Sequence, residues 1–143
     1  MTANVSARAE DLYMDILAIA AANGDFLQPS DGADLLLPEV LIGALAATIA
    51  TAFVNGFAGE LGKGLADKIR KHRFRKGELV EVEAEAFVTE LARIMANDGL
   101  DPVKEAKAHA EIAATLQDLG LADPISVRIA DQVIAAVKRH WRT

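Results

Sequence analysis

VLIGALAATIATAFVNGFAG, residues 40–59, is a run of 20 uncharged residues in which only Thr48, Thr51 and Asn55 have polar side chains. As a helix rising 1.5 Å per residue it is about 30 Å long, close to the thickness of a bilayer's hydrocarbon core. A helix apolar on every side has two ordinary homes, a membrane or the middle of a soluble bundle. Pro38 suits the first turn, where its missing N–H costs little, and Glu39 sits at the positive end of the helix dipole.

Large residues recur at every fourth position from Leu41 through Leu45, Ile49, Phe53 and Phe57 to Leu61, Leu65 and Ile69. A parallel row holds the small residues Ala44, Thr48, Ala52 and Gly56. Each step of four advances about 40° around a helix, so the large row winds instead of holding one face. Such a helix needs neighbours on several sides. Glycine inside a helix costs up to about 1 kcal/mol, which close backbone approach can offset. Gly43 with Ala47, and Ala52 with Gly56, form small-xxx-small pairs of the kind that mark helix–helix interfaces. With Gly59 they are the candidate packing or oligomer-interface residues.

The flank that follows is basic. Lys63, Lys68, Arg70, Lys71, Arg73, Arg75 and Lys76 stand against one acid, Asp67, a net +6 in a chain of net −6, so the remainder carries −12. With no proline before Pro102, one helix is expected over 38–76, apolar first and basic after. Those seven residues are candidate contacts for anionic lipid headgroups or another anionic partner, and the positive-inside tendency places the C-terminal half in the cytoplasm. Phe74 amid the cations admits a nucleic-acid reading, which the −12 remainder opposes. Glu78, Glu81, Glu83, Glu85 and Glu90 follow at once, so an antiparallel hairpin can also set acids beside the cations.

Outward from this centre the chain reads as helices. One is expected over 7–23 with Ser6 as N-cap and Leu12, Ile16, Ile19 and Ala20 on one face. Residues 24–37, with Pro29, Ser30, Asp31 and Gly32, read as a loop. A third helix is expected from Glu78 with Leu79, Val82, Phe87, Leu91 and Ile94 inward. The alternation of Val80, Val82, Ala84 and Ala86 with glutamates also fits a strand; the spacing of three and four beyond Phe87 favours helix. Gly99-Leu100-Asp101-Pro102 and Gly120-Leu121-Ala122-Asp123-Pro124 each line up a helix-ending glycine, an Asp N-cap and a proline at the first helical position. They delimit two more helices, making 78–142 a three-helix unit with Ile125, Ile129, Val133, Val137 and Trp141 as the apolar row of the last.

Composition agrees. Apolar residues are 52% and aromatics 5% of 143 residues, so the core is alanine and aliphatic, which suits close-packed helices in a single all-α domain of about five helices. There is no cysteine, and the first residues lack the basic and apolar regions of a secretory signal, so synthesis in the cytoplasm is the default. His72, His109 and His140 show no metal-ligand spacing, no serine sits in a nucleophile elbow, and GELGKG lacks the spacing of a phosphate loop. Neither a cofactor nor catalysis is expected. Membrane association with self-assembly through the central helix is the leading expectation; a soluble helical adaptor or oligomeric module, with that helix in the core or contacting a helical partner, is the alternative.

Overall fold

The computed structural model describes residues 2–23, 38–58, 70–73, 80–82, 84–98 and 101–141. Among them are five helices, α1 (Thr2–Asn23), α2 (Pro38–Ala58), α3 (Ala84–Asp98), α4 (Pro102–Asp118) and α5 (Asp123–Trp141), and two strands, β1 (Arg70–Arg73) and β2 (Val80–Val82). The fold is an all-α bundle, as composition and periodicity lead one to expect. Helix α2 packs against α1 and α4, α4 against α5, and α5 back against α1, so four helices close a ring; α3 lies mainly on α1.

Inside the ring each helix contributes its apolar stripe: Leu12 and Ile16 from α1, Leu45, Ile49, Phe53 and Phe57 from α2, Ile112 and Leu116 from α4, and Ile129, Val133 and Val137 from α5, all buried. Burying a side chain of this size is worth roughly 1.5–3 kcal/mol, so this core outweighs any surface feature of the fold. Phe53 and Phe57 stack at 5.3 Å between centroids. Tyr13 of α1 meets Phe87 of α3 at 5.3 Å, and burial raises the Tyr13 hydroxyl above its ordinary pKa.

Three expectations are corrected. The helix over 38–76 is not continuous, because Arg70–Arg73 is a strand paired antiparallel with Val80–Val82. Gly59, Gly62 and Gly64 weaken a helix there, and a helical segment would stack Lys68 with Lys71, Arg70 with Arg73 and Lys71 with Arg75 at spacings where like charges repel. The third helix starts at Ala84, not Glu78, and the Val80/Val82 alternation belongs to the strand. Helix α1 starts at Thr2, so Ser6 lies within it and is not its N-cap; residues 2–6 contain no glycine or proline to stop it. The expected loop at 24–37 lies outside the described residues.

Both ends of α4 follow their sequence signatures. Asp101 accepts a hydrogen bond from the Val103 backbone N–H at 2.8 Å, capping α4 with Pro102 next in line. At the other end Gly120 takes φ +98°, its N–H donates to Gln117 O at 2.9 Å, and the Leu121 N–H donates to Leu116 O at 3.1 Å. This is a Schellman closure, in which buried Leu121 packs back toward buried Leu116.

Candidate functional site

The small row of α2 is an intramolecular packing surface. Gly56 is buried, and a Cβ placed there would lie 2.5 Å from Ala108 Cα and 2.7 Å from Lys107 O, both backbone atoms of α4. Only glycine permits that approach. Ala52 and Ala47 are also buried, along with Thr48 and Thr51, whose hydroxyls donate to Ala44 O and Ala47 O at 2.7 and 2.8 Å. Gly43 differs: it is half-buried and a Cβ there would meet nothing within 4 Å. Among the described residues Gly43 therefore marks no close approach, whereas Gly56 does. Gly59 lies outside the described residues.

Of the seven basic candidates, Arg70, Lys71 and Arg73 fall on β1, while Lys63, Lys68, Arg75 and Lys76 lie outside the described residues. The β1–β2 register sets Arg70 opposite Val82, His72 opposite Glu81 and Arg73 opposite Val80, with a bulge between Arg70 and His72. Of the five glutamates that follow the basic flank only Glu81 lies on β2, opposite His72, so the pairing sets Arg70 and Arg73 opposite valines and not acids. Strand β2 packs on α2, which brings the basic segment to the bundle beside its most apolar helix.

Helix α5 is held by polar contacts on both sides. Toward α1, Asp15 accepts from Arg139 at 2.8 Å and contacts His140 Nε2 at 2.7 Å. Asn23 accepts from Arg128 at 3.2 Å and donates to Gln132 at 3.5 Å. Residue 15 pairs with 139–140 and residue 23 with 128–132, so α1 and α5 run antiparallel. Desolvation pushes the Asp15 carboxyl up, but the hydrogen bonds and charges of Arg139 and His140 together outweigh it and hold its pKa below the ordinary value. Toward α4, His109 Nε2 lies 2.7 Å from Asp131 Oδ1 and Lys138 Nζ 3.5 Å from Glu105 Oε1.

These last two pairs rim an open groove of about 510 Å³ along the outer seam of α4 and α5, with Ala106, Ile134 and Ala135 among the residues lining it. Sequence reasoning found no metal-ligand spacing at His109 or His140 and missed both their carboxylate partners and the groove. Its signal was present as spacing: 105, 106 and 109 on one helix and 131, 134, 135 and 138 on the other each recur at three and four. Which sides of two helices face each other is settled only by packing.

Among the described residues no three His, Asp or Glu side chains converge to hold a metal ion. No helix among the described residues is long and apolar enough to cross a membrane. Comparison with protein-family models, curated protein sequences and solved structures found no match to this chain.

Proposed function

We propose that this protein is a non-enzymatic helical assembly module in which the apolar helix serves as its own core and the basic segment 63–76 is the contact for an anionic partner. One observation carries the reading. Between Ala44 and Phe57 every residue of α2 except Asn55 is buried, with α4 so close at Gly56 that not even a methyl group fits. A helix enclosed in this way offers no face to lipid or to a second copy unless the bundle opens. Apolar burial by α1 and α4 opposes opening with a free energy comparable to that of the fold itself.

A second reading, membrane insertion with self-assembly through α2, draws on the uncharged length of 40–59 and on the basic strand that β2 tethers beside it. Sedimentation with phosphatidylserine-containing vesicles separates the two. The first reading expects a protein that purifies without detergent and binds vesicles only electrostatically, released as salt rises from about 0.1 to about 0.5 M. Salt-resistant sedimentation, with loss of hydrogen-exchange protection in α2, would instead establish insertion and overturn the module reading.

A further inference from the structure

We infer that the outer seam of α4 and α5 is the self-association surface of this protein, joining two copies by a two-fold axis into a four-helix arrangement. The inference deepens the assembly reading by naming the partner as a second copy, and rests on it.

The charges along the seam stand at two levels. At one, His109 of α4 faces Asp131 of α5 at 2.7 Å; at the other, Glu105 of α4 faces Lys138 of α5 at 3.5 Å. Four residues on α4 and seven on α5 separate the levels, about 6 to 10 Å along the helices. A nitrogen-bearing side chain and a carboxylate therefore alternate both across the groove and along it. This arrangement is complementary to itself. A two-fold axis in the interface and parallel to the helices sets α4 of one copy over α5 of the other, Glu105 over Lys138 and His109 over Asp131. A two-fold axis in the interface and perpendicular to the helices exchanges the levels, setting Glu105 over His109 and Lys138 over Asp131. Either operation sets each carboxylate of one copy over a Lys or His nitrogen of the other, as an isologous contact requires.

A further observation agrees. Ala106 and Ala135, both exposed, are small residues at the centre of the seam, where a second helix pair would approach. The area is modest. Two helices of 17 and 19 residues present a footprint of about 25 by 20 Å, roughly 1,000 Å² over both copies, the lower bound for a specific interface. A dimer with Kd on the order of 10–100 μM is expected.

Sedimentation equilibrium of the full chain in detergent-free buffer, from about 10 μM to about 1 mM, tests this. The expected result is a monomer–dimer equilibrium that Ala135→Arg and Lys138→Glu each weaken roughly tenfold or more. Thr89→Arg on α3, an exposed residue away from the seam, should leave it unchanged. Circular dichroism confirms that each variant keeps its helix content. A monomer throughout, or an oligomer that neither seam variant moves, overturns the inference. Vesicle binding is read separately, so loss of the dimer does not decide the vesicle experiment, nor the reverse.

Discussion

The segment from Pro38 to Lys76 contains two regions of opposite character, and they fold differently. The first, Pro38–Ala58, is helical and enclosed where its side chains are described. The second includes Arg70–Arg73, extended and paired with the strand Val80–Val82. Neither region is broken by a proline and both carry a four-residue apolar rhythm, so periodicity alone joins them. What divides them is the source of helix stability. Helices in proteins owe most of it to tertiary burial, and α2 has α1 and α4 packed against it. Over Arg70–Arg73 like charges at helical spacing disfavour a helix.

If burial is what makes the first region a helix, truncating its interior should have the largest effect. Phe53 is fully buried and stacked on Phe57. Phe53→Ala should cost about 4 kcal/mol in chemical denaturation, enough to unfold a marginal domain. A loss under about 1 kcal/mol would mean the aromatic pair is not core. Gly56→Ala comes next, at about 2–3 kcal/mol, because the added methyl meets α4 backbone that cannot rotate away. Gly43→Ala supplies the contrast within the same helix. With nothing within 4 Å, it should stabilise by about 0.5–1 kcal/mol through helix propensity alone. Equal destabilisation at both glycines would refute the asymmetry between the two small pairs.

The covering helix can be probed through pH. Asp15 of α1 has a folded pKa below its ordinary value of 3.8, so its contribution is present above that value and is lost as pH falls through the lower, folded pKa. Asp15→Asn should therefore cost about 1 kcal/mol at neutral pH, the scale of a partly exposed ion pair. It should also flatten the loss of stability below about pH 4. An acid limb as steep as in the parent chain would assign that loss to other carboxylates.

How much of this was legible beforehand follows from the range of each interaction. The two ends of α4 were readable residue by residue because capping is local: Asp101 and Pro102 at one end and Gly120 at the other act on backbone groups a few positions away. The enclosure of α2 was readable as a need, from a large row that winds around the helix, but not which elements would meet it. That α4 comes closest, at Gly56, depends on Ala108, 52 positions later in the chain. Asp15 with Arg139 and His140, separated by 124 and 125 positions, had no local trace. The β1–β2 ribbon was visible as alternating valine and glutamate, but the helical spacing after Phe87 pulled the boundary of α3 too far toward the N-terminus.

The smallest expected effect on stability belongs to the basic region and sharpens the comparison most. Replacing Arg70, Lys71 and Arg73 together by Gln removes like charges from a strand whose remaining ladder is backbone hydrogen bonding. Denaturation should shift by no more than about 0.5 kcal/mol, the usual range for substitutions outside a core. Vesicle binding should respond far more strongly. Each basic residue near an anionic surface contributes about 1 kcal/mol, so three together predict a fall of roughly a hundredfold in partitioning onto phosphatidylserine-containing vesicles. The two readouts then separate cleanly: α2 variants lose stability, whereas ribbon variants lose only the anionic partner. A triple variant that unfolds would give the ribbon a structural role and reduce the contrast to one of degree. One that folds and still binds would place the anionic contact outside β1.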